Sequence, residues 1–212
     1  MEKIKIVPTI FSYTVGEFKE KFEKVKNLSD ILHIDIMDGK FVKSKSVNLE
    51  ELKFIKDLKN DFEVHLMCKN PFSYFDLCEE LEIKKVFFHF EIFSSIEDLN
   101  IVIMDCISKN FEIGIVLNPE TEFDVTIPLI GSLDNIMFMS VNPGAEGQNF
   151  VEKTYEKIKL CKVLNPNINI YVDGGIKEIE IKKLQKCGAN VFCVGSFLSG
   201  AENPEKNYLS LK

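Results

Sequence analysis

The chain has 212 residues, 45% of them hydrophobic, with a net charge of −7 at pH 7. That length fits a single α/β barrel domain spanning 1–212, and the apolar fraction can fill a sizeable core. The acidic balance argues against broad binding of nucleic acid or anionic membranes, although a local site can still take a small anion.

In chain order, strand-like apolar runs recur at Ile4–Ile10, Ile31–Met37, Phe62–Cys68, Lys85–Phe90, Ile113–Asn118, Ile136–Val141, Ile168–Val172 and Val191–Ser196. Segments with helical spacing lie between them. Phe18, Phe22 and Val25 repeat at three and four residues, and Leu49, Leu52 and Ile55 are read the same way. Tyr155, Ile158, Cys161 and Leu164 form a further helix that stops at Pro166. Leu184 and Cys187 end another, with Gly188 as its C-terminal cap. Strands that alternate with helices are expected to be parallel, because each crossover needs a helix. Eight such units predict a closed (β/α)8 TIM barrel; a doubly wound open sheet is the alternative. No Gly-x-Gly-x-x-Gly follows the first strand, so the usual dinucleotide signature is missing.

No apolar stretch approaches the length of a membrane span. Met1-Glu2-Lys3-Ile4 runs straight into a strand pattern without the apolar stretch of a signal peptide. The six cysteines form no Cys-x-x-Cys pair, as expected for free thiols in a reducing compartment. A cytoplasmic location is therefore the expectation.

Thr9, Asp35, His65, His89, Asn118, Met139, Asp173 and Ser196 fall near the C-terminal ends of the predicted strands, and His33 is read at such an end as well. Barrel enzymes place their active sites on that face. Side chains alternate along a strand, so His33, Asp35 and Met37 share a face of one strand, and His65 and Met67 share a face of the next. Burying two imidazoles with Asp35 and Asp173 is costly without a cation or a shared proton. Two nitrogens and two oxygens suit zinc, iron(II), manganese or cobalt. The aspartates come from strands two and seven. They can take a proton from one face of a carbon and return one to the other, while the metal stabilises an enediolate. Gly144, Gly147, Gly174-Gly175 and Gly195-Ser196 belong to loops after strands six, seven and eight, where barrels often bind phosphate. Met37, Met67 and Met139 are either core filler or an apolar cap over a planar intermediate.

Taken in order, several stretches resemble the ribulose-phosphate 3-epimerase family. They are Pro8-Thr9-Ile10, His33-Ile34-Asp35-Ile36-Met37-Asp38-Gly39, Val64-His65-Leu66-Met67, Phe88-His89, Leu117-Asn118-Pro119-Glu120-Thr121, Met139-Ser140-Val141-Asn142-Pro143-Gly144, Gly147-Gln148 with Phe150, Val172-Asp173-Gly174-Gly175, and Gly195-Ser196. The resemblance implies one divalent metal held by His33, Asp35, His65 and Asp173. It implies that Asp35 and Asp173 are the proton acceptor and donor in the conversion of D-ribulose 5-phosphate to D-xylulose 5-phosphate. It places the phosphate on Gly144, Ala145, Glu146 and Gly147, on Gly175, and on Gly195 and Ser196. Thr9, His65, Asp173 and Gly174 would also line the substrate, and the chain would be a homo-oligomer. An epimerase of a hexulose 6-phosphate, such as allulose 6-phosphate, is the nearest alternative; a non-catalytic sugar-phosphate binder is a more distant one. The chain departs from the family at Thr9, where serine is usual, at Lys43-Ser44 in place of Pro-Asn, and at Ala145-Glu146 in place of Phe-Gly.

Overall fold

The computed structural model of the chain describes residues 4–109, 111–144, 148 and 150–212. Eight parallel strands close into a barrel in sequence order. They are β1 (Lys5–Ile10), β2 (Ile31–Met37), β3 (Asp61–Met67), β4 (Lys85–His89), β5 (Glu112–Leu117), β6 (Asn135–Met139), β7 (Asn169–Asp173) and β8 (Val191–Val194). β1 closes on β8, with Val7 opposite Cys193. Expected and observed strand ends agree to within about two residues.

Alternation along the strands sorts the core into two parts. Outward-facing residues such as Leu32, Ile34, Val64, Leu66, Val86 and Phe88 pack under the helices. Inward-facing Val7, Phe87, Val116, Met137, Tyr171, Val191 and Cys193 fill the barrel. The interior is therefore packed, as small barrels require. Space is tight enough that a β-carbon at Gly114 would lie 2.1 Å from the Phe87 ring in the neighbouring strand.

The α-helices are α1 (Val15–Val25), α2 (Phe75–Glu80), α3 (Ile96–Ser108), α4 (Thr154–Leu164), α5 (Glu178–Cys187), α6 (Ser196–Ser199) and α7 (Pro204–Ser210). The start of α1 shows why it begins where it does. The Thr14 hydroxyl accepts from the Glu17 N–H at 3.2 Å, and the Glu17 carboxylate accepts from the Tyr13 N–H at 2.8 Å. Phe18, Phe22 and Val25 are its buried stripe.

Two crossovers differ from the expected α-helices. Leu49–Asp57 is 3₁₀ helix, interrupted at Leu52. Its buried residues Leu49, Leu52 and Ile55 recur at three and three, which is the 3₁₀ period rather than the α period. After β5 the chain crosses over through short 3₁₀ segments, Phe123–Thr126 and Ile130–Ser132. Among the described residues no helix is long and apolar enough to cross a membrane.

Candidate active site

The site is built where β2 and β3 run side by side, with Asp35 opposite His65 and Met37 opposite Met67. His33 lies one layer deeper than the sequence reading had it. It sits early in β2, level with Thr9, rather than at the strand end. It is fully buried, and its Nδ1 is 2.7 Å from Oε1 of Glu63, itself 2% exposed. A carboxylate can only accept, so His33 Nδ1 carries a proton, and Nε2 is the nitrogen free to act as a ligand whenever the ring is neutral. That Nε2 is buried, has no hydrogen-bond partner, and stands 3.8 Å from Asp35 Oδ1.

His65 completes the cluster. Its Nδ1 is 3.2 Å from Asp35 Oδ1 and 3.7 Å from Asp173 Oδ2. His33, Asp35 and His65 bring ligand atoms within 4.8 Å of one another, and Asp173 adjoins them at His65. Two ligands each bound at ~2.1 Å to one tetrahedral ion stand about 3.4 Å apart. The observed spacings of 3.2–3.8 Å match, and the unpartnered His33 nitrogen points into the cluster. The donor set therefore fits a divalent cation. The protonation preferences of the rings differ. Burial drives the His65 pKa down to about 4, with Asp35 offsetting only part of it. Burial also opposes charge on His33, but the hydrogen bond and charge of Glu63 outweigh it and raise the pKa.

Above these groups a cavity of about 290 Å³ opens at the C-terminal face of the barrel. Thr9, Asp35, Met37, Met67, Met139 and Asp173 line it together with Gly144, Gly174, Gly175, Gly195 and Ser196. The Thr9 hydroxyl is buried there without a partner. Gly174 has φ +103°, and a β-carbon on it would lie 2.4 Å from Val141. Glycine is required at that turn for both reasons. The expected phosphate contacts Ala145, Glu146 and Gly147 lie outside the described residues. Ser44, one of the departures from the family pattern, donates its hydroxyl to the Gly144 carbonyl and ties the loop after β2 to the loop after β6.

Sequence reasoning missed Glu63 and Glu91. Glu63 lies two residues before His65 on the same strand, so period-two alternation already placed it on the inward face. Glu91 lies two beyond His89, past the strand end, where no periodicity applies.

The sequence matches the model of the ribulose-phosphate 3 epimerase family over residues 5–199. Ribulose-phosphate 3-epimerase of Aquifex aeolicus is 33% identical over 193 residues, covering 89% of this chain and 86% of that protein. The Bacillus subtilis ribulose-phosphate 3-epimerase is 30% identical over 96% of this chain and 95% of that protein. Among solved structures, 3-hexulose-6-phosphate synthase from Salmonella typhimurium superposes with a TM-score of 0.73 at 16% identity, covering 98% of this chain and 96% of that one. That likeness carries the fold alone. The sequence match spans nearly the whole barrel, and the chain belongs to the ribulose-phosphate 3-epimerase family, isomerases that epimerise sugar phosphates.

Proposed function

We propose that the chain inverts C3 of D-ribulose 5-phosphate to give D-xylulose 5-phosphate, with Asp35 and Asp173 as the two bases. The observation that carries this reading is the placing of both carboxylates beside one nitrogen, His65 Nδ1, at 3.2 and 3.7 Å. They come from β2 and β7, separate strands of one barrel, so each reaches the site from its own side. The C3 proton lies next to the C2 carbonyl and is acidic for that reason. Asp35 as carboxylate takes it from one face; Asp173, protonated at the start, gives its proton to the other. The roles exchange in the reverse direction.

His33, Asp35, His65 and Asp173 would hold one divalent cation, of zinc, iron(II), manganese or cobalt. When bound, such an ion supplies positive charge beside the oxygens on which negative charge develops. Met37, Met67 and Met139 present apolar surface to the flattened, deprotonated sugar and exclude water from its faces. Thr9 offers an unpartnered hydroxyl to the sugar. Backbone N–H groups at Gly175, Gly195 and Ser196, with Gly144 lining the same cavity, take the phosphate.

Separate Asp35→Asn and Asp173→Asn variants test the reading. An amide cannot relay the proton, so each is expected to lose ~10²–10⁴-fold or more in turnover. Bound metal is measured alongside, because both residues are proposed ligands. Near-normal turnover by a metal-loaded Asp173→Asn protein refutes the two-base assignment. Faster turnover of a hexulose 6-phosphate than of the pentulose phosphate moves the substrate and leaves the chemistry in place.

A further inference from the structure

A chain of hydrogen bonds runs from His65 away from the cavity. His65 Nε2 lies 2.9 Å from His89 Nε2. The ring planes are 27° apart with centroids 4.9 Å apart, so the imidazoles meet end to end. His89 Nδ1 lies 3.2 Å from Glu91 Oε2. Glu91 Oε1 accepts the Asn118 backbone N–H at 2.7 Å and the Thr121 hydroxyl. The Lys157 ammonium pins that loop by donating to the carbonyls of Asn118, Pro119 and Thr121. The stretch Asn118-Pro119-Glu120-Thr121, which the reaction itself does not use, thereby acquires a task.

From Glu91 inward, the direction of each bond follows from the fixed outer end. The Asn118 N–H can only donate, so Glu91 accepts there. A carboxylate that accepts at both oxygens obliges His89 to carry its proton on Nδ1. Neutral His89 then has a bare Nε2. That nitrogen can only accept, so the outer chain has His65 donate from Nε2 with a lone pair on Nδ1. Asp35 Oδ1, 3.2 Å from Nδ1, asks by itself for the opposite tautomer, and both demands are met only when a cation takes the lone pair and the carboxylate together. We propose that Glu91, acting through His89, is a positioning residue that fixes the His65 tautomer and turns its Nδ1 lone pair toward Asp35 and Asp173. Outer partners of this kind orient metal-binding imidazoles. The assignment rests on the cation site proposed above, because without a cation Asp35 competes for a proton on His65 Nδ1.

Glu91→Gln is an unusually direct test, because it nearly preserves shape and reverses polarity. The Asn118 N–H must still meet an acceptor, so the amide oxygen takes the Oε1 position. The amide NH₂ then faces His89 Nδ1. His89 Nδ1 becomes an acceptor, its proton moves to Nε2, and His65 must accept at Nε2 and carry its proton on Nδ1. Glu91→Ala has no such directing effect. A packing or charge role predicts that Gln is the milder change; the relay predicts that Gln is the more severe.

Two readouts decide. Nitrogen-15 NMR of histidine-labelled, zinc-loaded protein is expected to show the His65 proton on Nε2 and the His89 proton on Nδ1 in the wild type, and the His89 proton on Nε2 in Glu91→Gln. Competition for zinc against a chromophoric chelator is expected to show ~10–100-fold weaker binding by Glu91→Gln, with Glu91→Ala in between. An unchanged His89 tautomer in Glu91→Gln, or zinc binding at least as tight as in Glu91→Ala, overturns the proposal. A wild type that takes up no zinc overturns the cation site on which the relay rests. If Glu91→Gln does not fold, His89→Phe removes the acceptor of His65 Nε2. It is then expected to weaken zinc binding, and unchanged affinity overturns the relay.

Discussion

Gly114→Ala places one methyl group inside the barrel directly beneath the catalytic layer. Gly114 and Phe87 are register partners in β5 and β4, and both face the interior. The new β-carbon would stand 2.1 and 2.2 Å from two carbons of the Phe87 ring, where ordinary contact begins at 3.4 Å. The ring must therefore retreat by at least about 1.3 Å. It has nowhere open to go. Phe87 is fully buried, with the Tyr171 ring centroid 4.7 Å away on one flank and that of His33 5.7 Å away on another. Overpacking of this kind costs ~1–3 kcal/mol. For a chain of this size that lowers Tm by roughly 2–12 °C. Thermal unfolding measures the loss, and zinc affinity reports whether His33 is disturbed. A Gly114→Ala, Phe87→Leu double variant removes the clash, so the cycle should show a favourable coupling of about 1–2 kcal/mol. Neutral behaviour of Gly114→Ala, or strictly additive effects, would refute the argument that the small residue exists to admit the ring.

Asp38 accepts backbone N–H bonds from Lys40 and Phe41 at 2.8 and 2.9 Å and from Lys69 at 2.8 Å, joining the loops after β2 and β3. Burial alone would raise its pKa, but these donors outweigh it and hold the carboxyl below the usual range. A lowered folded pKa gives stability that is present above the unfolded value of ~3.9 and is lost as pH falls through the folded value. Asp38→Asn should therefore unfold at lower urea than the wild type at pH 7, with the gap closing below about pH 4; a constant gap contradicts this. Lys157→Met strips the carbonyls of Asn118, Pro119 and Thr121 of their shared donor and should cost at least ~2 kcal/mol in urea unfolding. A loss under ~0.5 kcal/mol would mean that the loop finds other donors. Burial raises the thiol pKa of Cys68, Cys78, Cys106 and Cys161 to about 12, and Cys193 is fully buried as well. A thiol reagent at pH 8 should label the half-buried Cys187 first and the other five only after denaturation.

Much of the architecture could be read from the sequence because the strands of a closed barrel carry nearly continuous apolar runs. The polar residues that interrupt those runs then mark the site. His33, Asp35, His65 and Asp173 were legible as ligand-type side chains at inward positions; the first three come together, and Asp173 adjoins His65. The depth of His33 was not legible, because depth depends on the stagger between neighbouring strands, which no single strand encodes. Leu49, Leu52 and Ile55 were read as α-helix because spacings of three fit one face of either helix; only the missing step of four marks 3₁₀. Glu63 could have been found by the same alternation that found His65. Glu91 could not: its partners Asn118 and Thr121 are distant in sequence and reach it through a backbone N–H and a loop hydroxyl.

The central claim is that this site moves the C3 proton of a ketose phosphate between two carboxylates. It is tested most directly by incubating D-ribulose 5-phosphate with metal-loaded protein in deuterium oxide and following C3 by proton NMR. The account predicts that D-xylulose 5-phosphate appears carrying deuterium at C3, because the proton returned by Asp173 comes from a group that exchanges with solvent. It also predicts that Asp173→Asn with metal bound forms the epimer at least ~10²–10⁴-fold more slowly. Product that retains its original C3 hydrogen, or no D-xylulose 5-phosphate from metal-loaded wild-type protein, would contradict it.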